Sequence, residues 1–243
     1  QVARSFCPGG LGGWVSFVKK PLLAPLELTI GAKERIGADG VVVEALDEEQ
    51  LRNDLKALRG KGEVEALTIC FINSYTNSTH EKRAMEIAKE IFTDTPISVS
   101  SDVVPEMQEY ERTETTVVNS YVRPEVASYV SNLQNVLDNK MGSDTQLSIL
   151  RSDGGLASAR AAAESPVNML MSGPAGGVSG AIYFCRRAGF NDILTCDMGG
   201  TSTDVALIQN ARARVRRETI VADVRVRAPS VDVRTVGAGG GSI

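Results

Sequence analysis

The run DILTCDMGGTSTDVALIQ, residues 192–209, restricts the fold more than any other stretch of the chain. Two apolar segments flank Asp197-Met198-Gly199-Gly200-Thr201-Ser202-Thr203-Asp204. Short apolar runs around a glycine turn predict two strands joined by a hairpin. This turn also carries two acids and three hydroxyls, which an ordinary hairpin does not need. Glycines let backbone N–H groups approach phosphate oxygens, hydroxyls add donors, and an aspartate such as Asp197 holds Mg²⁺ directly or through water. A phosphate clamp and a plain glycine turn are both compatible with these residues.

Three other small-residue stretches invite the same question. Gly237-Ala238-Gly239-Gly240-Gly241-Ser242 follows the strand-like VDVRTV. Only glycine lets a backbone come so close to a ligand, though a flexible loop has the same composition. Ser172-Gly173-Pro174-Ala175-Gly176-Gly177 opens a helix that Gly189 ends. Its glycines fit tight packing on a sheet or a ligand at the helix N-terminus. Asp153-Gly154-Gly155 is a further acid–glycine turn. No Gly-Lys-Ser/Thr occurs, so none of these is a P-loop.

Composition narrows the function classes. At 243 residues and a net charge of -4, the chain supports a real core and lacks the basic excess of a nucleic-acid binder. Cys7, Cys70, Cys185 and Cys196 form no CxxC pair and are expected as buried thiols in a reducing compartment. The single histidine, His80, excludes a multi-histidine zinc site and argues against a Ser-His-Asp triad. It is expected to be exposed at a helix start. No apolar run approaches the roughly 20 residues of a membrane span, and QVARSFCPGGLGGW lacks the apolar core of a signal peptide. A cytoplasmic protein is expected. The Asn77-Ser78-Thr79 sequon is set aside for the same reason.

Periodicity predicts a layered α/β rhythm. LELTIGAKERI and VVVEAL read as a hairpin turning at Asp39-Gly40. Asp47 and Gln50 begin a helix carrying Leu51, Leu55 and Leu58; Ser78 and Glu81 form a capping box for the next, with Met85, Ala88 and Ile91 on one face. Residues 66–72 and 97–101 read as strands. Residues 109–140 read as long helix that Pro124 breaks or restarts. Glu109, Glu111, Arg112 and Glu114 read as its solvated face, with Arg112 able to reach an anionic group. The remainder is strand-rich, and a domain boundary is expected near 102–110, dividing 1–105 from 106–243.

Taken in order, ICFINSYTNSTHEKRA, SDVVPEMQEYERTETTVVNSYVRP, RSDGGLAS, MSGPAGGVSGA, DMGGTSTDVALI and VGAGGGSI resemble the hydantoinase A / 5-oxoprolinase family. The resemblance implies an α/β fold of the ribonuclease-H-like, actin-like ATPase kind, with mixed sheets flanked by helices. It implies ATP and Mg²⁺ as cofactors and a small cyclic amide as substrate, opened after carbonyl phosphorylation. Asp197 would hold the metal and act with Asp204 in catalysis. Gly199, Gly200, Thr201, Ser202 and Thr203 would bind phosphates, with Gly173, Gly176, Gly177, Gly239, Gly240 and Gly241 around the nucleotide. A hydantoinase B-like subunit or domain would be the partner, with no nucleic acid or membrane. The matching stretches lie downstream of the family's first DxGGTxTD loop, so an internal portion of a family protein is expected. An acetone-type carboxylase subunit and a non-catalytic binding protein remain the alternatives.

Overall fold

In the computed structural model the described residues are 22–242, except 63, 143, 222 and 223. Cys7 and the QVARSFCPGGLGGW stretch lie outside them.

The first unit is a βαβ arrangement. β1 (Arg35–Ile36) pairs antiparallel with β2 (Val42–Glu44). The predicted long strand from Leu26 is shorter than expected, because Leu26–Leu28 form a 3-10 turn. α1 (Glu48–Arg59) starts where predicted: Asp47 accepts from Gln50 N at 3.0 Å. β3 (Leu67–Ile69) and β4 (Ile97–Val99) are parallel, joined by α2 (Thr79–Ile91) as the crossover a parallel pair requires. Leu51, Leu55, Ile69, Ala84, Ile87, Ala88, Ile91, Phe92 and Ile97 close the core between these elements.

Two expectations about α2 fail for one reason. Ser78 caps nothing; Asn77 Oδ1 accepts from Thr79 N at 3.0 Å and Thr79 Oγ1 at 2.6 Å instead. Glu81 is fully buried and accepts from Phe71 N at 2.7 Å, Ser100 Oγ at 2.6 Å and Ser101 N at 2.9 Å. It ties the ends of β3 and β4 together rather than closing a capping box. His80, expected in solvent, is buried with Nδ1 2.8 Å from Glu34 Oε2. The start of α2 is roofed by neighbouring segments that supply partners for both side chains, which removes the cost of burying them.

α3 (Ser100–Val103) leads to α4 (Glu109–Met141), a continuous helix that passes through Pro124. Ser120 Oγ accepts from Thr68 Oγ1 at 2.7 Å and Arg123 Nη1 donates to Ile97 O at 2.6 Å, so the turn before the proline is anchored to the sheet. The charged start of α4 is not simply a solvated face. Arg112 is fully buried, donates to Phe71 O and Glu106 O, and lies 5.5 Å over the Tyr75 ring. The expected 105/106 division falls between α3 and α4, and α4 packs to both sides of it. Asn119 donates to Ser98 Oγ at 3.1 Å and accepts from Val167 N at 3.2 Å, while Thr115 Oγ1 accepts from Arg227 N at 2.9 Å.

Beyond α4, β5 (Ser148–Leu150) and β6 (Leu156–Ser158) form a hairpin around Asp153-Gly154-Gly155, and Ser158 caps α5 (Ala159–Glu164). α6 (Ser172–Arg187) then precedes β7 (Ile193–Met198), β8 (Thr203–Gln209), β9 (Arg212–Ala213), β10 (Val215–Arg216), β11 (Thr219–Val221), β12 (Val224–Val226), β13 (Ser230–Val231) and β14 (Val233–Val236). The main sheet runs β14-β8-β7, all antiparallel, with β9 paired to β8; β10 pairs with β13 and β11 with β12. α6 covers one face of it through Ala175 and Val178 against Ala206, Ile208 and Val231. Cys70 and Cys185 are half-buried, but Cys196 is exposed, contrary to expectation. Strand alternation turns it to the face opposite α6, with Leu194 and Met198. The whole is mixed α/β, small sheets flanked by helices, as the sequence predicts. No helix among the described residues is long and apolar enough to cross a membrane.

Candidate functional site

The register of the main sheet assembles the acids. Asp197 on β7 is paired with Asp204 on β8, and Asp204 with Thr235 on β14. Side chains alternate along strands, so all three stand on the face that carries Ala206 and Ile208 toward α6. Asp197 is exposed. A Cβ built on Gly177 of α6 would lie 3.7 Å from Asp197 Oδ2, so the helix runs beside this carboxylate. Thr235 Oγ1 donates to Asp204 Oδ1 at 2.5 Å.

The two glycine loops, 35 or more residues apart in the chain, are stacked on one another. Gly199 N donates to Ser202 O at 2.9 Å and closes the hairpin turn. Gly240 N donates to Gly199 O and Gly241 N to Gly200 O, both at 2.9 Å. A Cβ on Gly239 would lie 2.5 Å from Gly199 O and 2.7 Å from Thr201 N, closer than any side chain permits. Thr203 Oγ1 donates to Ala238 O at 2.7 Å, and Gly239 N donates to Ser242 Oγ at 2.9 Å.

These bonds leave the turn with more free donors than free acceptors. The carbonyls of Gly199, Gly200 and Ser202 are occupied. The consecutive amides of Gly200, Thr201 and Ser202, and the hydroxyls of Thr201 and Ser202, have no protein partner among the described residues. Gly200 and Thr201 are exposed. Consecutive unpaired N–H groups in a turn make an anion-binding concavity.

The expected site residues therefore divide. Asp197, Gly199, Gly200, Thr201, Ser202 and Asp204 come together at the hairpin, with Gly177 beside them. Thr203 is buried, and its hydroxyl is used by Ala238. Gly239, Gly240 and Gly241 lie against the turn itself. Gly176 faces Leu150, whose Cδ2 would be 2.8 Å from an added Cβ, whereas Gly173 has open space. Thr235, Ala238 and Ser242 complete the arrangement; the last two lie in the glycine loop singled out from the sequence but were given no role there, and Thr235 was not picked out at all. Only the pairing of β14 with β8 reveals what the three contact.

The residues fit a Mg²⁺ ion carried on phosphates. Magnesium is usually held by one or two carboxylates, with phosphate oxygens and water completing the shell. Asp197 is an open carboxylate, and one oxygen of Asp204 has no protein partner among the described residues. No group of three His, Cys, Asp or Glu suited to a metal occurs among the described residues, so an all-protein cage is not formed there. An apolar cavity of about 420 Å³ lies elsewhere, between α1, β3 and α4, lined by Leu51, Leu55, Ile69 and Tyr121.

A family described as hydantoinase/oxoprolinase matches residues 112–243, more than half of the chain, and its N-terminal region matches residues 15–92. The chain belongs to the hydantoinase/oxoprolinase family. Within the family it is 33% identical to caprolactamase subunit alpha of Pseudomonas jessenii over 222 residues, covering 91% of this chain and 32% of that protein. It is 34% identical to 5-oxoprolinase of Saccharomyces cerevisiae, covering 83% of this chain and 15% of that protein. The nucleotide-free structure of acetone carboxylase superposes with a TM-score of 0.81 at 30% identity, covering 92% of this chain and 31% of that one. The chain thus spans about a third or less of the length of these relatives.

Proposed function

We propose that this chain supplies the phosphate- and Mg²⁺-binding hairpin of an ATP-dependent enzyme that opens a cyclic amide. The observation that carries this reading is the turn at Gly199–Ser202: the carbonyls of Gly199, Gly200 and Ser202 are occupied, the amides of Gly200, Thr201 and Ser202 have no protein partner among the described residues, and two carboxylates stand beside it. ATP supplies the phosphoryl group that turns an amide carbonyl oxygen into a leaving group, and Mg²⁺ offsets its charge. The chain's own residues orient and neutralise. Asp197 would hold the metal. Asp204, with one oxygen fixed by Thr235, would offer its second oxygen to the attacking water. The amides of Gly200, Thr201 and Ser202 and the hydroxyls of Thr201 and Ser202 receive phosphate oxygens. Positioning and charge stabilisation are what phosphoryl transfer asks of a protein, so no protein nucleophile is required.

The cyclic amide follows from relatives named caprolactamase and 5-oxoprolinase. Similarity to acetone carboxylase favours a second reading in which the same hairpin serves a carboxylation. Several relatives are named as subunits, which supports a partner subunit; in this reading that partner is hydantoinase B-like and the complex is cytoplasmic. Calorimetry with Mg-ATP and Mg-pyrophosphate tests the reading. Both should bind the wild-type chain, and Asp197→Ala should lose the magnesium-dependent part. Absence of binding, or binding indifferent to Asp197, contradicts it.

A further inference from the structure

We infer that Thr203, Gly239 and Ser242 form a latch that positions the phosphate hairpin without touching the ligand. The inference rests on the phosphate reading above and assigns a role to groups outside it. A four-residue turn such as Gly199–Ser202 exposes carbonyls as readily as amides, and exposed carbonyls repel phosphate. The second glycine loop removes that conflict at Gly199 and Gly200. Its amides at Gly240 and Gly241 occupy Gly199 O and Gly200 O, the two carbonyls at the head of the turn. The approach needed for these bonds has no room for a side chain at Gly239, where a Cβ would meet backbone atoms at 2.5–2.7 Å. Backbone cannot yield as the end of a flexible side chain can.

Two hydroxyls hold the loop in place from either end. Thr203, directly after the turn and buried, donates to Ala238 O. Ser242 accepts from Gly239 N and so closes the loop on itself, while its own amide donates to Gly239 O at 2.9 Å. Thr203 thus differs from Thr201 and Ser202, whose hydroxyls have no protein partner among the described residues. Three hydroxyls adjacent in sequence serve two purposes: two for the ligand and one for the latch.

The test is titration of the full chain with Mg-pyrophosphate, the probe that engages the phosphate site alone. Thr203→Val and Gly239→Ala should each weaken binding about tenfold, the worth of one well-placed hydrogen bond. Thr203→Ser, which keeps the hydroxyl, should bind like wild type. Gly237→Ala, with open space around it, should also be unchanged. Ser242→Ala is exposed and keeps the core intact; it should cost about threefold and keeps the test decisive if either buried variant misfolds. Wild-type affinity in Thr203→Val, Gly239→Ala or Ser242→Ala overturns the latch and leaves the phosphate reading standing. A wild-type chain that does not bind Mg-pyrophosphate overturns both.

Discussion

Thr235 on β14 donates its hydroxyl to Asp204 on β8 at 2.5 Å, from the position directly opposite in the register. The bond fixes one oxygen of a carboxylate that would otherwise rotate freely beside Asp197. Thr235→Val should weaken Mg-dependent nucleotide binding by about fivefold, and Thr235→Ser should restore it, since only the hydroxyl matters. Equal affinity for all three proteins in calorimetry would show that Asp204 needs no such support.

Asp197 faces Asp204 across β7 and β8, and like charges directly opposite on a sheet destabilise it by roughly 0.2–1 kcal/mol. An acid pair kept for a cation therefore carries a penalty when the cation is absent. Asp197→Asn should melt at or slightly above the wild-type temperature in chelator, and below it with saturating Mg-ATP. Differential scanning calorimetry under both conditions checks the crossing. A variant less stable than wild type in chelator would mark Asp197 as structural.

Much of this site was legible in the sequence, and the illegible part has a common cause. The strand–turn–strand at 193–209 and the helix opened by Pro174 follow from local chemistry that tertiary contacts do not override. The same holds for Asp47 capping α1. The stacking of Gly239 on Gly199 depends on β14 pairing with β8, which no local pattern encodes. His80 and Arg112 were read toward solvent because charged residues default there, and Glu81 was read as closing a capping box because Ser-x-x-Glu is a local signal. Their burial is made possible by Glu34, by the backbone of Phe71 and by Ser100, all distant in sequence. Pro124 was read as a break or a restart because the strain of an interior proline is local, whereas the anchors at Ser120 and Arg123 are tertiary.

Glu81 is the polar keystone of the first unit, with three donors on a fully buried carboxylate. Glu81→Ala leaves the Phe71 and Ser101 amides unpaired, with Ser100 Oγ keeping only Ser74 Oγ, and should cost about 3 kcal/mol or more. Glu81→Gln keeps one carbonyl oxygen and should cost less. Urea unfolding of both variants checks the order, and a loss under 1 kcal/mol for Glu81→Ala would refute this role.

The Glu48–Arg83 pair sets a pH window. Hydrogen bonds from Arg83 hold the Glu48 carboxyl below its ordinary value of 4.5. A lowered pKa in the folded state means the contribution is present above the ordinary value and is lost as pH falls through the lowered one. Wild type should melt above Glu48→Gln at pH 7, and the gap should close in acid. Both side chains are largely solvated, so the gap is small, and high salt should shrink it further. A gap that widened in acid would reverse the sign argued here.

The amides of Gly200, Thr201 and Ser202 are the groups on which the proposed function stands. Nitrogen-15 NMR of the chain during titration with Mg-pyrophosphate observes them individually. Their three resonances should move together and saturate with the ligand, and in Asp197→Ala they should lose the magnesium-dependent part of that movement. Saturable binding that leaves all three unmoved would contradict a phosphate-gripping turn at this hairpin.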